Sequence, residues 1–170
     1  MYSWPSVALP AASLYRPNGL AAQIPTKPPR WLSGTSVYVA GYFGSSTAGL
    51  GFTTLTNADA TDGFVAKLTD AGSMGSFAWA QRTGSTGGGG ATALAVIGTS
   101  MYVAGHFASP TASFGSTSLA NVASTNSQDV YVAKLTDASG IGRFIWAQRA
   151  GGLGNEYACA LTLICMTMCI

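Results

Sequence analysis

Apolar and polar residues alternate in short runs along this chain, and the runs return in the same order. V-Y-V-A-G-Y-F at residues 37–43 comes back as M-Y-V-A-G-H-F at 101–107. D-G-F-V-A-K-L-T-D-A at 62–71 comes back as D-V-Y-V-A-K-L-T-D-A at 129–138, and F-A-W-A-Q-R at 77–82 as F-I-W-A-Q-R at 144–149. The first pair is offset by 64 residues (37 to 101) and the other two by 67 (62 to 129, 77 to 144). Runs rich in Val, Tyr, Phe and Trp fit a pleated surface and predict strands. A fixed order of strands at a near-fixed period marks a repeat architecture. No helical period stands out within the repeat.

The second copy is the more complete. T-A-L-A-V at 92–96 and M-Y-V-A-G-H-F predict a hairpin turning at Gly98. Residues 129–136 and 143–149 predict a second hairpin around D-A-S-G-I-G, whose Gly and Asp suit a tight turn. The two hairpins make four antiparallel strands in a meander. Between them, the polar stretch 108–128 contains F-G-S-T-S-L, the counterpart of L-G-F-T-T-L at 50–55. This predicts a short extra strand or a structured loop, and the three additional residues of the second copy belong in it. Within V-A-K-L, Val132 and Lys134 share one face, Ala133 and Leu135 the other. Simple alternation also puts Phe144 and Trp146 on one face and Ile145 and Ala147 on the opposite one. Both faces are largely apolar, so both need cover. Sheets stacked as blades supply it without helices.

The phrases V-Y-V-A-G-x-F, D-x-[FY]-V-A-K-L-T-D-A, W-A-Q-R and A-T-A-L-A-V closely resemble the bacterial seven-bladed β-propeller repeat family, over roughly residues 33–161. The resemblance implies an all-β fold of antiparallel four-stranded blades. It further implies a secreted or cell-surface setting. It supplies no catalytic motif and no particular ligand. The chain departs from the family in holding about two blades, where closure takes about 4–8. The expected organisation is an atypical leader at 1–32, a partial blade at 33–91, a complete blade at 92–149, and the start of a third at 150–170 with an apolar tail. Incomplete blades leave open sheet faces and edges, so association with other blades or copies of the chain is expected.

Composition narrows the function further. Charged residues make up only 8% of the chain and the formal net charge is +2, which gives nucleic acid no basic surface to bind. Gly, Ser and Thr interrupt every apolar run, and the apolar end from residue 157 is too short to span a bilayer. The start, M-Y-S-W-P-S-V-A-L-P, lacks the basic and apolar regions of a signal peptide. The two ends carry a different signal. Read from the third codon position, residues 1–6 can encode V-F-V-A-K, and 17–32 can encode Q-R-A-G-G followed by E-A-T-A-L-A. Residues 162–170 can likewise encode V-D-L-Y-D-N-V-Y. One mismatch remains, because the position before A-Q-R cannot be Trp. Residues 1 to about 32 and about 162–170 are therefore expected to be out-of-frame translations of a longer propeller gene.

Candidate chemistry is sparse. Lys67 and Lys134, Arg82 and Arg149, and Asp62 and Asp129 recur with the repeat, which favours roles in the repeat itself, at strand ends beside turn carboxylates. Trp79 and Trp146 are expected to fill the space between blades; exposed at a propeller mouth, they would instead stack on a glycan. Asp70 and Asp137 read as turn residues whose side chains bond the backbone. Asn57, Asp59 and Asp62 in N-x-D-x-x-D-G loosely resemble a calcium loop, but they lack the distal Glu and the second copy does not repeat the phrase. The glycine run at 84–90 lacks the Lys of a phosphate loop and reads as a flexible connector. His106 is the only histidine, with Tyr42 in its place in the first copy. Cys159, Cys165 and Cys169 are neither a disulfide framework nor a zinc set. No nucleophile–base pair assembles, so the expectation is a non-enzymatic protein without cofactor, offering a surface to protein or glycan.

Overall fold

A computed structural model describes residues 35–58, 60–123 and 127–164 of the chain. The leader 1–32, Asp59, Cys165 and Cys169 lie outside the described residues. Within them, all regular structure is β. The strands of the first copy are β1 (Thr35–Phe43), β2 (Thr47–Leu50), β3 (Thr53–Thr56), β4 (Asp62–Asp70) and β5 (Gly75–Ser85). Those of the second are β6 (Gly89–Ile97), β7 (Ser100–Phe107), β8 (Thr111–Phe114), β9 (Thr117–Ala120), β10 (Asp129–Ala138) and β11 (Ile141–Ala150).

The second copy forms a four-stranded antiparallel sheet in the order β11-β10-β7-β6, a meander interrupted by the β8–β9 hairpin. The first copy forms the matching three strands, β1-β4-β5. Two residues at the end of β5, Gly84 and Ser85, pair with Ser113 and Ala112 of β8 and so stitch the copies together. The polar stretches between the main hairpins are thus hairpins themselves, β2–β3 and β8–β9. The extra length of the second copy falls after its hairpin, leaving every strand register unchanged.

The turns follow from the backbone. Gly51, Gly98 and Gly115 each take the first position of a two-residue turn with φ of 64°, 57° and 61°. Only glycine adopts that conformation freely, and it bends the chain in the sense that matches strand twist. The β10–β11 turn differs. Ser139 and Gly140 both have positive φ, 56° and 75°, and Ser139 is the one described non-glycine residue there.

One expectation of alternation is overturned. A β-bulge lies between Lys134 and Leu135, so Trp146 pairs with Lys134 while Phe144 pairs with Leu135. The extra residue, Ile145, shifts the side-chain phase. Phe144 therefore packs on Phe114, whereas Trp146 points to the other face beside Tyr102. The first copy has the same bulge, with Lys67 opposite Trp79 and Leu68 opposite Phe77.

The main core lies between the two sheets. Met101, Val103, Phe107, Tyr131, Ala133 and Leu135 of the second copy meet Val65 and Trp79 of the first, under the β8–β9 residues Ala112 and Phe114. A smaller core, Phe43, Leu50, Leu55, Ala66 and Ala80, sits on the other face of the first sheet, capped by β2–β3. The run at 84–90 is not a loose connector. Gly84, Ser85, Gly89 and Gly90 belong to strands, and a Cβ on Gly89 would lie 2.8 Å from the His106 carbonyl. Its glycines serve close approach of backbones. Beyond β11, residues 151–164 form no strand, yet the Glu156 N–H donates to the Gln128 carbonyl at 2.7 Å. Gly89 at the start of β6 makes the corresponding bond to Thr61 Oγ1 at 3.2 Å.

Two successive positive φ angles favour Asn-Gly over Ser-Gly. Ser139→Asn is expected to raise stability by about 0.5–1 kcal/mol, read as a higher thermal midpoint. An unchanged or lower midpoint would contradict this reading of the turn.

Candidate functional site: a polar clamp between the repeats

The most concentrated polar chemistry lies where the two sheets meet. Lys67 on β4 and Trp79 on β5 are cross-strand partners, and Tyr38 of β1 stands opposite Lys67 on the other side. The bulge keeps Trp79 in phase with Lys67, so all three side chains reach the same face. The Lys67 ammonium stands 5.8 Å from the Tyr38 ring centroid, and the Tyr38 and Trp79 rings are 6.2 Å apart. Such a cluster offers three donor groups and no carboxylate to receive them.

Asp137 of the second copy supplies the acceptor. Its Oδ2 accepts from the Lys67 ammonium at 2.5 Å and from the Tyr38 hydroxyl at 2.9 Å. Its Oδ1 accepts from the Trp79 indole N–H at 3.1 Å. Asp137 is thus not the turn-capping residue expected from sequence. Asp70, at the same place in the first copy, is: its Oδ1 accepts from the Gly72 N–H at 2.7 Å. The difference is positional. Among the described residues, only Asp137 has a preceding sheet to face. The Trp79 indole also needs a flat seat, and Gly142 provides it, since a Cβ there would come within 2.5 Å of the ring.

The electrostatics follow from this geometry. Burial pushes the Asp137 carboxyl up, but hydrogen bonds from Lys67, Tyr38 and Trp79, with the Lys67 charge, outweigh it and hold the group below its ordinary value. The Asp137 bond raises Lys67. Burial first, then the Asp137 bond, raises Tyr38.

A second pattern occurs once per copy. Asp62 is fully buried and accepts from Arg82 at 2.7 Å and from the N–H groups of Ala58 at 2.8 Å and Ser85 at 3.1 Å. Asp129 accepts from Arg149 at 2.8 Å and from the Val122 N–H at 2.9 Å. The amide of Asn57 bonds the carbonyls of Phe43 at 3.4 Å and Ala60 at 3.3 Å. Asn121 does the same with Phe107 at 3.5 Å and Ser127 at 2.9 Å. Of the phrase read as a calcium candidate, the first Asn and the last Asp have counterparts in Asn121 and Asp129, while Asp59 and Gly63 have none. In both copies the Asn bonds the loop's own carbonyls and the Asp is taken by an arginine, with two backbone amides on Asp62 and one on Asp129. Among the described residues, no cluster of His, Cys, Asp or Glu is arranged to hold a metal ion.

Other candidates are separate. Burial lowers the pKa of half-buried His106, whose ring meets Tyr157 edge-on at 5.3 Å. Tyr131 lies in the core, donating to the Gly90 carbonyl at 3.3 Å beside Thr83, and burial raises its hydroxyl strongly. Cys159 is an exposed free thiol. Lys134, Tyr102 and Trp146 repeat the Lys67 cluster without a carboxylate: the Lys134 ammonium is 5.5 Å from the Tyr102 ring, and Tyr102 and Trp146 lie 6.1 Å apart. Among the described residues, no helix is long and apolar enough to cross a membrane. No protein-family model matches the chain, and no curated protein does so.

Removing Asp137 strands three donors in a largely buried contact. Asp137→Ala is expected to cost about 2–3 kcal/mol, while Asp70→Ala costs under about 1 kcal/mol. Equal losses would mean that the clamp adds nothing beyond a turn. The pH dependence has a definite sign. The depressed Asp137 pKa stabilises the fold above the ordinary value of 3.8, and this is lost as pH falls through the folded value. The raised Lys67 and Tyr38 values stabilise below 10.5 and 10.0 respectively, and this is lost as pH rises through the folded values. Thermal midpoints of Asp137→Asn are thus expected to fall less between pH 5 and pH 2 than those of the parent chain.

Proposed function

We propose that the chain is a non-enzymatic β-propeller repeat segment, a structural and interaction scaffold of a secreted or cell-surface bacterial protein. The observation that carries this reading is the use made of the recurrent polar residues. Lys67, Trp79 and Asp137 join one repeat to the next, and Asp62 with Arg82, like Asp129 with Arg149, fastens a repeat to its own loop. Side chains that recur to hold repeats together build a scaffold, not a reaction centre. The order of strands, β6-β7-β10-β11, agrees with a propeller blade, and the extracellular setting rests on the resemblance of the repeat phrases.

A carbohydrate-binding module is the second reading. Trp79 speaks against it, being 4% exposed and bonded to Asp137. The half-buried pair Tyr102 and Trp146 is the feature that favours it. Quenching or shift of tryptophan fluorescence on titration with sugars, lost in Trp146→Ala, would move the balance toward it.

Stacked repeats gain stability with each neighbour. Chains with one, two or more extra copies of residues 85–151 inserted after Gly151 are expected to melt at successively higher temperature. A midpoint indifferent to repeat number would overturn the scaffold reading.

A further inference from the structure

Each sheet carries a Tyr-Lys-Trp cluster on one face and, on the other, a turn aspartate. Among the described residues only one such cluster and aspartate are joined. The receiving face of the first sheet holds Tyr38, Lys67 and Trp79, and Asp137 on the giving face of the second fills it. The receiving face of the second sheet carries Tyr102, Lys134 and Trp146 in the same arrangement. Among the described residues no carboxylate reaches Lys134. The giving face of the first sheet carries Asp70 at its exposed turn.

The surroundings of these two open halves match as well. On the giving side, Met101 and Val103 are fully covered at 0% exposure, whereas their counterparts Val37 and Val39 are exposed at 42% and 38%. On the receiving side, Val65 is fully buried and Val132 only partly. The seat for the tryptophan is also present and vacant. Gly142 lies under Trp79, but the equivalent Gly75 has only Leu68 Cδ2 near, 4.0 Å from where a Cβ would sit.

We propose that a second copy of this chain docks head to tail, placing Asp70 of one copy against Tyr102, Lys134 and Trp146 of the next, with that Trp146 seated over Gly75. The contact repeats between chains the joint already present within one. It pairs an exposed carboxylate with an unmatched ammonium and covers apolar faces on both sides. Being heterologous, it propagates to a ring or an open array and does not stop at a symmetric pair. The inference rests on the blade reading of the repeat.

Sedimentation velocity over a wide concentration range tests it. The parent chain is expected to form species larger than a dimer as concentration rises. Asp70→Ala and Lys134→Ala, each alone, are expected to weaken that association about ten- to a hundredfold. Gly75→Leu, which blocks the seat at an exposed position, is expected to do the same without lowering the thermal midpoint of the monomer. Mixing Asp70→Ala with Lys134→Ala restores one good joint and is expected to yield a one-to-one heterodimer that grows no further. A parent chain that stays monomeric at high concentration, its faces covered from within, overturns the proposal. So does association that survives all three substitutions, or a mixture that forms no heterodimer. The inserted-repeat melts report stacking within one chain, so failure here leaves that result standing and the reverse also holds.

Discussion

A single carboxylate shared by an ammonium, a phenol and an indole ties the two repeats of this chain together, beside the short β5–β8 ladder. Asp137 lies at the tip of one sheet, and its three donors lie on three strands of the other. Apolar contact alone would let flat sheets slide over one another. Hydrogen bonds to a charged acceptor are directional and of short reach, so they fix where the apolar faces meet. Phe114 and Trp79 then fill the same core from opposite sides.

That arrangement depends on a one-residue irregularity. Without the bulge at Lys67–Leu68, Trp79 and Phe77 would share a face, and one of them would be lost to its core. With it, β5 sends Trp79 toward the following sheet and Phe77 toward the hairpin cap of its own. Each sheet is thereby two-sided, with different work on each side. The small residues answer to the same constraint. Gly142 is flat because an indole rests there, and Gly89 is bare because the His106 carbonyl approaches.

Much of this is written in the residues. The repeat phrases, the turns at Gly98 and at Ser139–Gly140, and the four-stranded meander all follow from spacing and local backbone preference. The facing of Phe144 and Trp146 does not, because alternation assumes an unbroken ladder and the bulge leaves no mark in F-I-W-A-Q-R. The separate fates of Asp70 and Asp137 are also invisible, since both stand in the identical phrase V-A-K-L-T-D-A. Among the described residues, a neighbouring sheet faces Asp137 and none faces Asp70, and that distinguishes them. The Asn57 loop was obscured for a plainer reason. Asn57 and Asn121 keep their partners while the residues between Asn and Asp change in number, so a fixed-spacing comparison misses the match.

The confinement of that length change to one loop has a bearing on heredity. Each period carries both kinds of half-joint, an aspartate and a Tyr-Lys-Trp set. Unequal crossing-over between two such periods, wherever it falls, yields a hybrid that still possesses one complete giving side and one complete receiving side. Loops drift in length without disturbing this exchange. A protein so composed lengthens or shortens by whole units, and no fresh interface has to evolve at the junction.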